Sequence, residues 1–160
     1  MQLGQIEAGL SEMLRKKAEV VEQGEVFAPW LFVALANAYL ADGRVSEGIA
    51  AADEGLALSR SSGVRLLESE IHRLKGELLW QCGKDEAAAQ SFRDAIELGR
   101  RQSAKSLELR ATMSLARLLD NQGRRAEARS MLAEIYKWFT EGFDTADLKD
   151  AKTLLDELSG

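Results

Sequence analysis

One turn is written three times in this chain. "ADGRVSEGIA" (41–50), "QCGKDEAAAQ" (81–90) and "NQGRRAEARS" (121–130) each carry Gly, a basic residue, then an acidic and a small residue, at a spacing of 40 residues. A turn repeated at a fixed period repeats what it connects, so the sequence predicts an array of like units. A real repeat must also match where it packs. Sliding by 40 aligns Leu31, Ile71 and Ala111; Ala36, Gly76 and Ala116; and Tyr39, Leu79 and Leu119. Beyond the turn it aligns Gly48, Ala88 and Ala128; Ala52, Phe92 and Leu132; and Gly55, Ala95 and Ile135. Small stays opposite small and large mostly opposite large, as closely packed helix pairs require.

Each unit reads as two antiparallel helices. The spacing predicts first helices over 28–42, 64–82 and 104–122, and second helices over 45–60, 85–101 and 125–140. The units are 28–61, 64–102 and 104–141. Gly43, Gly83 and Gly123 close the first helices, where a left-handed backbone suits a residue without a side chain. Ser46 and Asp85 are expected N-caps, with Glu47, Glu86 and Glu127 placing negative charge in the next first turn. Residues 5–22 resemble a second helix whose first is absent, with an apolar face poorly covered. At the other end 145–158 reads as a capping helix, N-capped by Asp144 or Thr145, with a stripe of Leu148, Ala151, Leu155 and Leu158. The expectation is one all-α domain over 1–160 with about eight helices.

Composition agrees. A single Pro in 160 residues and 46% hydrophobic residues fit a nearly all-helical chain with a buried core. Charged residues at 29% and a net charge of -5 argue against a nucleic-acid binder. No apolar run is long enough for a membrane span, and "MQLGQIEAGLSEMLRKK" lacks the apolar core of a signal peptide. The expected location is cytoplasmic, and the lone Cys82 fits it.

The pattern of small and large residues resembles the tetratricopeptide repeat, carried by Gly76, Gly83, Ala88, Phe92 and Ala95 in the second unit and by Ala116, Leu119, Gly123, Ala128 and Leu132 in the third. The resemblance implies a right-handed superhelical array of antiparallel helix pairs. Two features depart from it: the period is 40 rather than 34, so helices or inter-unit turns are longer, and Lys75 stands where the family usually has Leu. Lys75 either snorkels or yields its place to Leu74. "IHRLKGELL" (71–79) and the stretch 91–158, with "YKWFTEGFDTADL" its most specific part, resemble the C-terminal repeat region of large bacterial signalling proteins. Those combine a cyclase or DNA-binding domain, an ATPase domain and a tetratricopeptide tail. The resemblance implies a sensor or assembly tail acting in signal transduction with its upstream domains. Neither a phosphate-cradling Gly-rich loop with Lys-Ser/Thr nor a cyclase metal pair is present.

No catalytic constellation can be assembled, and no cofactor or metal is expected. His72 is the one histidine and reads as half-buried at a helix crossing; Cys82 reads as a small helix-end residue. The acid pairs Glu68/Glu70 and Asp147/Asp150 read as solvated surface. Function is therefore expected on the helix faces, in a protein or peptide partner. The family's positions imply a concave groove presenting Trp30, Val33 and Asn37, then Arg73, Glu77 and Trp80, then Arg110, Met113, Arg117 and Asn121. Helical spacing independently puts Arg73, Glu77 and Trp80 on one face and Arg110, Met113 and Arg117 on another. The alternative is that both tryptophans are packing residues and the arginines solvate the surface. Asn37 matches one position of the family's carboxylate clamp, but Val33 replaces its lysine.

The sequence also suggests two other kinds of partner. Between Arg93 and Arg129 nine basic residues face five acids, a patch for nucleic acid or an acidic protein, though spread over several helix faces. The uncovered face of 5–22, with Phe27, Trp30 and Phe32, predicts a possible homodimer. The cluster Tyr136, Trp138, Phe139 and Phe143 is expected to pin the last turn onto the third unit.

Overall fold

The computed structural model describes residues 2–22 and 28–160. Phe27, assigned above to the N-terminal face, lies outside them. The described residues form eight helices: α1 (Gln2–Glu22), α2 (Ala28–Asp42), α3 (Val45–Ser62), α4 (Glu68–Gln81), α5 (Asp85–Arg101), α6 (Lys105–Asn121), α7 (Arg125–Tyr136) and α8 (Ala146–Glu157). The architecture is the all-α array of antiparallel pairs that the repeat predicts. Two boundaries differ by about a full turn. α4 starts at 68 rather than 64, because side chains hold the carbonyls before it: the Ser59 hydroxyl donates to Val64 O (2.6 Å) and Gln102 Nε2 donates to Arg65 O (2.7 Å). α7 stops at Tyr136 rather than 140, where the chain folds back to stack Phe143 against Tyr136 (centroids 5.8 Å apart).

The repeated turn is a two-residue Schellman link. Gly43, Gly83 and Gly123 take φ of 73°, 75° and 78°. The next amide reaches back across the turn, Arg44 N to Tyr39 O (3.0 Å), Lys84 N to Leu79 O (2.9 Å) and Arg124 N to Leu119 O (2.8 Å). The basic residue is thus the last of one helix's closure and the N-cap of the next. This corrects the expected caps: Ser46 and Asp85 lie inside α3 and α5, and no side-chain cap bond forms at Arg44, Lys84 or Arg124. Thr145 is the N-cap position of α8, but its hydroxyl donates to Gly142 O instead. In two copies the basic residue pairs with the acid of the next turn, Arg44 with Glu47 and Arg124 with Glu127. Those carboxylates sit at a helix N-terminus, where the dipole also favours them.

All aligned positions are buried except Leu31, which is half-buried. Each fully buried Leu or Phe contributes about 1.5–3 kcal/mol. Volume is traded between paired helices: Phe32 presses on α3 at Gly55, where an added Cβ would lie 2.7 Å from Phe32 Cβ. At the same positions in later units Phe32 gives way to His72 and Thr112 while Gly55 gives way to Ala95 and Ile135. Leu74 is fully buried, and Lys75 keeps its stem mostly covered while its ammonium reaches the exposed Asp53 of α3 (2.6 Å), so the helix seats Leu74 and Lys75 snorkels as well.

Successive first helices pack closely, α2 to α4, α4 to α6 and α6 to α8, whereas among the described residues successive second helices stand further apart, α1 reaching α3 through the Lys17–Glu54 pair. The first helices therefore form the inner, tighter layer. Packing places α8 in that layer as the first helix of an unfinished unit. At the positions where α6 turns Thr112 and Ala116 inward, α8 has the exposed pair Lys152 and Asp156 (2.9 Å). The N-terminal end is also polar: α1 docks through Leu10, Met13, Lys17 and Val20, and exposes Glu12, Arg15, Lys16 and Glu19 on the far side. The poorly covered apolar face expected for this helix is reduced to a strip of exposed Leu14, Ala18 and Val21 on its outer flank. Phe32 is fully buried in the core that α1 covers and offers nothing to a partner.

Candidate functional site

The inner layer carries the ten side chains named from the sequence, and the structure divides them. Val33 is partly buried against Ala52, Leu56 and Ile71. Met113 is 5% exposed and belongs to the core, so its spacing with Arg110 and Arg117 does not bring it to the surface. Trp80 is half-buried against the same core, one side left to an open depression of about 420 Å³ lined with Leu40, Glu77 and Gln81. Trp30 is 55% exposed, and Asn37, Arg117 and Asn121 are exposed.

Arg73, Glu77 and Arg110 are tied into one polar ladder. Glu70, buried, accepts from Arg73 on its own helix (2.8 Å) and from Arg110 across the α4–α6 seam (3.1 Å). Arg73 also reaches Glu77 (3.4 Å), which accepts from the Ser114 hydroxyl of α6 (2.6 Å). Arg110 extends the chain to Asp147 of α8 (3.8 Å). Burial works against the Arg73 charge, but the Glu70 and Glu77 carboxylates outweigh it and hold the guanidinium above its ordinary value. This ladder fastens α4, α6 and α8 together. Arg117 has no carboxylate partner among the described residues.

Sequence reasoning missed Glu68, Glu70 and Glu108, which are 3%, 4% and 3% exposed. The sequence expectation of solvated surface is wrong for the first two, which are buried. Glu68 accepts from Arg65 and lies 3.0 Å from the Ser59 hydroxyl, whose proton is shared with Val64 O. Glu108, one period later, accepts from Arg100 and Lys105. Both carboxylates bolt a second helix to the following first helix, and the third junction has the buried Leu148 in their place. The alignment by 40 pairs Glu68 with Glu108, a signal that was available.

The basic stretch 93–129 is largely neutralised within the fold. Arg100 and Lys105 serve Glu108, Arg101 serves Glu97, Arg110 serves Glu70, Arg124 serves Glu127 and Arg125 serves Asp120. His72 is half-buried in an outer cleft of about 320 Å³ with Arg60, Arg65, Asp94 and Arg101. Desolvation lowers its pKa below the ordinary imidazole value, partly offset by Asp94. Cys82 is exposed, its thiol donating to Leu79 O (3.2 Å). Among the described residues no group of three His, Cys, Asp or Glu side chains could hold a metal ion, and no helix is long and apolar enough to cross a membrane.

No curated protein matches the chain. Residues 70–101, which run from the third residue of α4 to the end of α5, match the family model described as Tetratricopeptide repeat. Repeats of that family generally act in protein–protein interaction and assembly rather than catalysis. The match is confined to the unit whose Gly76, Gly83, Ala88, Phe92 and Ala95 carry the resemblance in sequence, and it shows that this unit is similar to a tetratricopeptide repeat.

Proposed function

We propose that the chain is a non-catalytic interaction module and that the inner face of α2, α4 and α6 holds a peptide or protein partner. One observation carries the reading: on a face whose other charges are closed into a ladder, Trp30, Asn37, Trp80, Arg117 and Asn121 keep free surface. Aromatic and Arg side chains presented together are what recognition surfaces use as anchors. Arg117, with no carboxylate partner among the described residues, favours a partner that brings an acidic group. The test is to select peptides from a random library against the chain and measure their binding to Trp80→Ala and Asn37→Ala. Loss of affinity in both supports the inner face, and unchanged affinity in both contradicts it.

The wider setting rests on the resemblance of 71–79 and 91–158 to the tails of bacterial signalling proteins. On that reading the module works in the cytoplasm as a sensor or assembly tail, alongside a cyclase or DNA-binding domain and an ATPase domain. The genomic reading frame upstream tests it: an ATPase or cyclase domain there supports the context, and an unrelated frame removes it.

A further inference from the structure

The outer flank of α1 exposes Leu14 (42%) and Val21 (36%), with Ala18 between them at i, i+4, i+7. The remaining large exposed apolar side chains, Trp30, Leu66, Trp138 and Phe143, sit at helix starts and turns. Leu14, Ala18 and Val21 therefore form a helical strip, and they line an open cleft of about 350 Å³ with Lys17, Glu22 and Glu54. Helical geometry at 100° per residue puts Arg15 and Glu22 on the same solvent edge of this strip, about two turns apart. Arg15 is tied to Glu12 alone, in an exposed pair that stabilises little.

We propose that this strip is a self-complementary interface at which a second copy of the chain docks its own α1 antiparallel, about a twofold axis passing near Ala18. The strip is near-symmetric about Ala18, with one apolar residue four positions before it and another three after. Leu14 of one copy meets Val21 of the other, and the two Ala18 residues meet at the axis, where their small side chains let the helices approach. The charges decide the direction. An antiparallel pair keeps the charged edges of the two strips on the same side and sets Arg15 of each copy beside Glu22 of the other, whereas a parallel twofold pair puts those edges on opposite sides and leaves both charges without this partner. The strip lies on the outer flank, away from the inner layer, so association leaves the peptide face open. An interface of two helices is small, and its affinity is expected to be about micromolar or weaker.

Sedimentation velocity over a wide concentration range tests this. The mass is expected to rise from 17.6 kDa towards twice that value. Leu14→Gln/Val21→Gln is expected to stay monomeric with an unchanged far-UV circular dichroism spectrum, since both side chains are exposed in the monomer. Arg15→Glu is expected to lose association, and Arg15→Glu/Glu22→Arg to regain it. A native chain that stays at 17.6 kDa, a dimer that survives the double glutamine change, or a charge swap that fails to restore association overturns the proposal.

Discussion

The ring of Phe92 occupies the space that a side chain on Gly76 would need: an added Cβ would lie 2.6 Å from Phe92 Cδ1. The other units solve the same crossing with Ala36 beside Ala52 and Ala116 beside Leu132. Gly76→Ala gains about 1 kcal/mol in helix propensity but overpacks the crossing at about 1–3 kcal/mol. A net loss of stability is expected in thermal unfolding. Adding Phe92→Leu, which rebuilds the third unit's pairing, is expected to recover most of it.

Ser103 is the one non-glycine residue at positive φ (54°) among the described residues, and it closes α5 as the glycines close the first helices, with Ala104 N reaching Gly99 O (2.9 Å). Relief of that backbone cost, about 1–2 kcal/mol, exceeds the extra unfolded-state freedom of glycine, about 0.4–1 kcal/mol. Ser103→Gly is therefore expected to raise the melting temperature by about 1–3 °C. A lower melting temperature would contradict this account of the turn.

Burial lowers the His72 pKa, so between the folded and unfolded values the unfolded chain binds more protons. Stability contributed by neutral His72 is present above the ordinary imidazole value of about 6.5 and is lost as pH falls towards the folded value. Urea unfolding of the native chain between about pH 7 and 5 should show a decline that His72→Gln makes shallower. Parallel slopes for the two chains would remove His72 as the cause.

Arg110 and Arg117 share a helix and a face but differ in task. Removing Arg110 leaves buried Glu70 with one guanidinium; because Arg110 is 36% exposed, the cost is expected near 1–2 kcal/mol rather than the larger value of a sealed pair. Arg117→Ala should stay within about 0.5 kcal/mol of the native chain. Equal losses for the two would mean that Arg117 also has a structural role.

Much of the scaffold is legible in the sequence because period and packing coincide: the glycine turns, Ala36/Gly76/Ala116 and Ala52/Phe92/Leu132 all fall where the spacing puts them. The inter-unit joints were harder to read. The late start of α4 depends on the Ser59 and Gln102 side chains reaching carbonyls up to 37 residues away, which no local pattern encodes. Candidate surface residues were named by helical position, and position fixes direction but not depth. Met113 shares the spacing of Arg110 and Arg117, yet it sinks into the core, while Arg73 and Glu77 face the right way but bond to each other. Glu68 and Glu70 misled because a charged pair on a helix is normally solvated; here Arg65, Arg73 and Arg110 supply the counter-charge that lets them be buried.

The central claim, that partners bind the inner face, is tested most directly by two exposed arginines without carboxylate partners among the described residues. Arg117 lies on the inner layer, and Arg93 lines the outer cleft between α5 and α7. Fluorescence titration of a library-selected peptide against Arg117→Glu and Arg93→Glu gives the comparison. The expected result is a loss of at least about tenfold, or 1.4 kcal/mol, for Arg117→Glu and native affinity for Arg93→Glu. Native affinity for Arg117→Glu with a loss for Arg93→Glu would place binding on the outer face and contradict the account.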